Sequence, residues 1–196
     1  MSVAGLLLAA GAGRRFGGPK ALVALGGTTL VERGVALLTD GGCDPVVVVL
    51  GAAADDVRPL VRGASTVVAA QWADGMGASL RAGLAALEPT DASACVVALV
   101  DQPLVGAEAV RRLRAAAPAD AAVATYGGRA RNPVLLSRAV WAEVAARAEG
   151  DTGARAWLRA HPDRVTAVAC DGTGDPDDLD TTADLTRLAA LLREPA

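Results

Sequence analysis

Unbroken apolar runs alternate with stretches of helical period along this chain. Val3–Ala10, Val46–Leu50 and Ala94–Val100 contain no charged or hydroxyl side chain. A strand with one wet face alternates polar and apolar residues, so runs apolar at every position fit a parallel sheet covered on both sides. With shorter runs of the same kind, the pattern predicts strands over 3–9, 46–50, 65–69, 94–100, 121–125 and 165–169. Amphipathic stretches predict helices over 29–39, 54–62, 77–87, 106–116, 138–148, 153–160 and 182–193. Thr182-Ala183-Asp184-Leu185 opens the last one with a hydroxyl cap and an early acid. The βαβα order predicts an α/β protein, a three-layer α/β/α sandwich around a Rossmann-like, mostly parallel sheet. The second half is less regular and predicts a mixed sheet. There Asn132-Pro133-Val134-Leu135-Leu136 reads as a short strand, and Pro133 is expected at a sheet edge or at the strand's first residue.

Composition narrows the class. The 196 residues suit one domain with a large core. With 52% hydrophobic but only 3% aromatic residues, Ala, Val and Leu must build that core. A net charge of −3 without a basic face argues against a nucleic-acid partner. Cys43, Cys95 and Cys170 are odd in number and form no C-x-x-C, which fits a reducing cytoplasm, with Cys95 a plain core residue. The N-terminal apolar run is too short to span a membrane and lacks the basic flank of a secretion signal. A cytoplasmic protein without a membrane partner is therefore expected.

The first strand runs into Gly11-Ala12-Gly13-Arg14-Arg15-Phe16-Gly17-Gly18-Pro19-Lys20. Glycines let backbone amides approach phosphate oxygens, and Arg15 and Lys20 bring compensating charge. Arg14 is read as an exposed neighbour. This is not the dinucleotide fingerprint G-x-G-x-x-G, because Phe16 stands where the third glycine belongs and no acid follows the next strand at Gly51. Nor is it a P-loop, because Pro19 follows the Gly13–Gly18 spacing where that motif has its lysine, and Lys20 is followed by Ala21 rather than a hydroxyl. A nucleoside triphosphate is the expected ligand. Asp101 ends the apolar run of residues 94–100, at the sheet edge where ligands bind in such folds, and a carboxylate there suits Mg2+. The lone His161 is read as inert surface.

Leu8-Ala9-Ala10-Gly11-x-Gly13-x-Arg15-Phe16-Gly17-x-Pro19-Lys20 resembles the signature loop of nucleotidyltransferases that activate sugars, polyols and molybdopterin. The likeness continues at Gly75-Met76-Gly77-Ala78-Ser79-Leu80, Asp101-Gln102-Pro103, Gly150-Asp151-x-Gly153-Ala154-Arg155 and Asp178-Leu179-Asp180-Thr181. In this order the set is similar to the molybdenum cofactor cytidylyltransferase branch. The resemblance implies a nucleotide-diphospho-sugar transferase-like fold and transfer of CMP from CTP to the terminal phosphate of a molybdopterin-type cofactor, with pyrophosphate released. It implies Arg15, Lys20 and Asp101 as catalytic residues. Nucleotide contacts are implied at Leu8, Ala9, Ala10, Gly11, Ala12, Gly13, Arg15, Lys20, Gly75 and Ser79. Magnesium would sit on Asp101 and a second acid, with Asp180 preferred over Asp178. Asn132, Asp151 and Arg155 would meet the acceptor, and a molybdoenzyme would receive the product. Gln71 and Arg131-Asn132 depart from the family's usual Asn and Gly-His. Three alternatives stand beside this reading: GTP as donor, a sugar or polyol phosphate as acceptor, and a non-catalytic molybdopterin or nucleotide carrier. Ala10 bears on the donor, since its methyl crowds a purine more than a pyrimidine. Trp72 is open between stacking on a ring and simple packing.

Overall fold

A computed structural model describes residues 2–117 and 119–192. In chain order its elements are β1 (Val3–Ala9), the hairpin β2 (Ala24–Leu25) and β3 (Thr28–Thr29), α1 (Leu30–Asp40), β4 (Val46–Leu50), α2 (Ala54–Val57), β5 (Ser65–Val68), α3 (Met76–Leu87), β6 (Ala94–Leu99), β7 (Leu104–Val105), α4 (Ala107–Ala115), β8 (Ala121–Tyr126), β9 (Arg129–Ser137), α5 (Trp141–Arg147), α6 (Arg155–Ala160), β10 (Val165–Ala169), β11 (Gly174–Asp175) and α7 (Thr182–Leu191). Seven strands form one sheet in the order β10-β8-β9-β6-β1-β4-β5. Only β9 runs antiparallel to its neighbours in that sheet.

The central strands are buried on both faces because helices cover both. Along β1, Leu7 and Ala9 point to a cluster with Leu30, Leu38, Val110 and Leu188, drawn from α1, α4 and α7. Leu6 and Leu8 point the other way, to Leu80, Leu84, Val144 and Trp157 of α3, α5 and α6. This is the three-layer sandwich that uniformly apolar strands predict. All three cysteines are buried and free. Burial pushes the Cys43 thiol up to about 11 and the Cys95 thiol higher still, so both stay protonated and unreactive at neutral pH. Among the described residues no helix is long and apolar enough to cross a membrane.

Several sequence expectations need correction. Pro133 is neither at a sheet edge nor first in its strand: β9 lies between β6 and β8. The ladder with β8 shifts register between Val123 and Ala124, pairing Val134 and then Arg131, so Asn132 and Pro133 fall in the irregularity. A proline there removes no ladder hydrogen bond. The helix predicted over 54–62 is one short α2 followed by a 3-10 turn at Arg58–Leu60, since Pro59 has no amide to donate. The helix predicted over 138–148 begins as a 3-10 turn at Arg138–Val140. The helix predicted over 153–160 starts at Arg155. For the helix predicted over 182–193, residue 193 lies outside the described residues.

The cap of α7 is Thr181, one residue before the expected Thr182. Its hydroxyl accepts from the Asp184 amide at 3.2 Å, and the Asp184 carboxylate accepts from the Thr181 amide at 2.8 Å. The same carboxylate accepts from the Asp180 amide at 3.1 Å, so the cap also fixes the backbone of Asp180. Thr181→Ala is expected to cost about 1 kcal/mol in urea denaturation. An unchanged midpoint would show that the cap does not hold this helix start.

Candidate active site

From β1 the chain moves outward to β4 and β5, then returns to place β6 on the other side of β1. That reversal opens a crevice beyond the C-terminal ends of β1 and β6. The two ends are in register, with Leu8 paired to Leu99 and the Val100 amide donating to the Leu8 carbonyl at 3.2 Å. The glycine loop leaves one strand and Asp101 follows the other, so both reach the same crevice.

The loop is a compact turn around Gly13, whose φ is +59°. Its carbonyl accepts from the amides of Phe16, Gly17 and Gly18 at 2.9, 2.9 and 3.2 Å. A Cβ on residue 13 would lie 1.8 Å from the Gly18 carbonyl oxygen, so only glycine closes this turn. The amides of residues 16–18 are therefore turned inward. Those of Gly11–Arg15 have no partner within the chain among the described residues, which leaves them as the donors an anion can use.

Two acids converge on Lys20. Its Nζ donates to Asp101 Oδ2 at 3.0 Å and to Asp180 Oδ1 at 2.7 Å. Burial alone would lower the Lys20 pKa, but the paired carboxylates outweigh it and hold the value above that of a free lysine. The ammonium therefore persists at neutral pH. Arg15, largely exposed, reaches Asp180 from the solvent side at 3.5 Å.

Backbone stitching brings the distant Asp180 here. Strands β7 and β11 pair, Leu104 with Asp175 and Val105 with Gly174. The Leu179 amide donates to the Asp101 carbonyl at 2.7 Å. Gln102, buried, donates through Nε2 to the Pro176 carbonyl at 3.1 Å and to Asp178 Oδ1 at 2.9 Å. Asp178 thus faces Gln102 while Asp180 faces Lys20. Burial, with Asp101 nearby, pushes the Asp178 carboxyl above its ordinary pKa. Sequence reasoning assigned Gln102 no role, and the one signal for it is its place between Asp101 and Pro103.

The donor set suits a hard divalent cation. Two carboxylates already share one positive group, and Mg2+ commonly takes one or two protein carboxylates with substrate phosphates completing its shell. Among the described residues no cluster of three or more His, Cys, Asp or Glu side chains forms a fuller metal cage.

The MobA-like NTP transferase domain matches residues 5–165. The chain belongs to this family. The nicotine blue oxidoreductase of Paenarthrobacter nicotinovorans is 39% identical over 197 residues, covering 95% of this chain and 96% of that protein. The molybdenum cofactor guanylyltransferase of Rhodobacter capsulatus is 34% identical over 199 residues, covering 100% of both. Among solved structures, the manganese complex of Rv0371c from Mycobacterium tuberculosis H37Rv has a TM-score of 0.80 at 32% identity, covering 97% of this chain and 99% of that one. The fold and the family are those of nucleotidyltransferases.

In this MobA-like domain the crevice holds a cleft of about 340 Å3. Leu8, Ala10, Gly11 and Ala12 line it from β1 and the loop, and Gly75 and Ser79 from the start of α3. Ala9 instead points into the core on the other side of the sheet. Gly13, Arg15 and Lys20 lie outside the cleft lining, whereas Arg14, exposed as expected, contributes to it. Asp101 and Asp151 close the cleft, and Trp72 and Met76 also border it. Of the three acceptor residues expected, only Asp151 is in the lining. Asn132 sits at the β9 irregularity and Arg155 is exposed on the first turn of α6. His161, expected on the surface, is half-buried and stacks on Trp157 with ring centroids 4.5 Å apart.

Proposed function

We propose that this chain transfers a nucleoside monophosphate from a nucleoside triphosphate to the terminal phosphate of a molybdopterin-type cofactor. The observation that carries the reading is the convergence of Lys20 with Asp101 and Asp180 beside the free amides of the glycine loop. An acceptor phosphate oxygen would form a bond to the α-phosphorus while the bond from that phosphorus to the β-phosphate oxygen breaks, releasing pyrophosphate. The attacking phosphate is already ionised near neutral pH, so no histidine base is needed. Lys20, Arg15 and the amides of Gly11–Arg15 would bind the triphosphate and balance the charge gathering on the departing pyrophosphate. Asp101 and Asp180 would hold a divalent cation, Mg2+ or Mn2+, whose chemistry is to neutralise phosphate charge. Asp151, in the cleft lining beside Gly75, would face the acceptor, and a molybdoenzyme would take the product.

The relative named for guanylyl transfer, similar over its full length, supports GTP as the donor in preference to the CTP expected from the loop. The Ala10 methyl on the cleft wall is the observation that favours CTP as a second reading. The relative from Paenarthrobacter is named an oxidoreductase, but the loop of this chain lacks the third glycine of a dinucleotide site. Paired acids around a lysine also serve a metal triphosphate better than a nicotinamide. A non-catalytic carrier would have no use for the acid pair.

Pyrophosphate release, measured with purified molybdopterin and each triphosphate in the presence of Mg2+, tests the proposal. Release with GTP exceeding that with CTP supports the first donor assignment, and the reverse order supports the second. Release with neither triphosphate, or turnover of nicotine blue in its place, would overturn nucleotidyl transfer.

A further inference from the structure

Trp72 opens the 3-10 turn Trp72–Asp74 and lines the cleft beside Ala10, Gly11 and Ala12. It also packs against the core cluster that contains Leu8, Val49 and Leu80. Its backbone is anchored on both sides: the Trp72 amide donates to the Ala69 carbonyl at 3.1 Å, and its own carbonyl accepts from the Gly75 amide at 3.2 Å. Gly51 lies directly under the root of the indole. A Cβ there would come within 2.5 Å of the Ala10 carbonyl oxygen and 2.7 Å of Trp72 Cβ and Cγ. The neighbouring Ala52 amide donates to that same Ala10 oxygen at 3.0 Å. The indole and the first residues of the glycine loop are thus held as one unit.

Among the described residues no other aromatic ring lines the cleft. The chain has three Trp, one Tyr and one Phe. Trp141 and Trp157 are 1% and 0% exposed. Phe16 and Tyr126 pack on the opposite side of the sheet. A nucleobase presents a flat π-face whatever its identity, and an indole fixed at the cleft wall matches it. We infer that Trp72 is the stacking platform for the nucleobase of the bound triphosphate. The inference rests on the nucleotidyltransferase reading and extends it. Because stacking accepts every base, Trp72 supplies affinity, and the choice between purine and pyrimidine falls to groups at the base edge such as the Ala10 methyl.

Inorganic tripolyphosphate separates stacking from phosphate binding, since it carries the charge without a base. Affinities of GTP, CTP and tripolyphosphate would be measured by calorimetry, with Mg2+, for the wild type, Trp72→Ala and Trp72→Phe. We expect Trp72→Ala to weaken the better-bound nucleotide by about 10- to 100-fold, leave tripolyphosphate unchanged, and be largely rescued by Trp72→Phe. Trp72 is the tryptophan not fully buried, so the same nucleotide should quench wild-type fluorescence while tripolyphosphate does not. Equal weakening of nucleotide and tripolyphosphate would make Trp72 a structural support and overturn the inference. So would an unchanged nucleotide affinity with a raised KM for molybdopterin, which would place the pterin on this ring. A wild type that binds tripolyphosphate but no nucleotide overturns the inference and the nucleotidyltransferase reading together. By contrast, base-sensitive binding without pyrophosphate release sinks only the reaction.

Discussion

Asp101→Ala is expected to lower pyrophosphate release by about 10²- to 10³-fold while the protein stays folded. The size of the effect follows from where the charge sits. The carboxylate lies two residues beyond β6, in the crevice at the sheet reversal, and it shares Lys20 with Asp180. In the proposed reaction nothing else in the described cleft replaces it as an oxygen donor on the β6 side. The fold depends on it far less. Lys20 keeps Asp180 as a partner in the variant, and the Asp101 backbone bond to Leu179 does not involve the side chain. A pair this close to solvent contributes about 1 kcal/mol or less, so thermal unfolding should shift by only a few degrees. Near-normal turnover in a correctly folded Asp101→Ala protein would refute the assignment of this acid to the metal.

Lys20→Met tests the other half of the arrangement. Turnover is expected to fall by a similar factor, because the variant loses the cation that would meet the departing pyrophosphate. Its binding behaviour should differ from that of Asp101→Ala. The Lys20 side chain is 13% exposed and touches both acids, so its removal leaves two carboxylates facing each other with Asp178 close behind. Like charges left with only the largely exposed Arg15 as counter-ion destabilise the fold, here by about 2 kcal/mol, and they attract a free cation more strongly. Mn2+ titrated without nucleotide and followed by electron paramagnetic resonance should therefore bind Lys20→Met more tightly than the wild type, where the ammonium competes for the same oxygens. Equal Mn2+ affinity in the two proteins would mean that Asp101 and Asp180 are not the cation site.

The parts of the site that were legible in the sequence are those whose chemistry is local. Gly13 and its neighbours form a turn that closes within six residues, and the need for glycine at position 13 is dictated by contacts inside that turn. Asp101 could be placed because an apolar strand of a covered sheet must end at the ligand edge. The roles of Asp178 and Asp180 were not separable in the same way. Both belong to one acidic stretch, and the difference between them is that one side chain meets Gln102 and the other Lys20. Nor could the place of β9 be read, since a proline in a strand points to an edge unless the partner strand's register shift is known.

The chain's own pattern of apolar runs and amphipathic stretches settled the class of fold, since strands without a polar face are stable only when helices cover both sides of the sheet. It also settled that a glycine loop rich in positive charge opens at the end of the first strand. Tertiary structure alone decided which groups share the crevice. Lys20 meets acids 81 and 160 positions away, and Trp72 reaches the loop across Gly51. Those meetings depend on the order in which β1, β4, β5 and β6 lie in the sheet and on the pairing of β7 with β11. Hydrophobic periodicity records which face of an element is buried, not which element it is buried against.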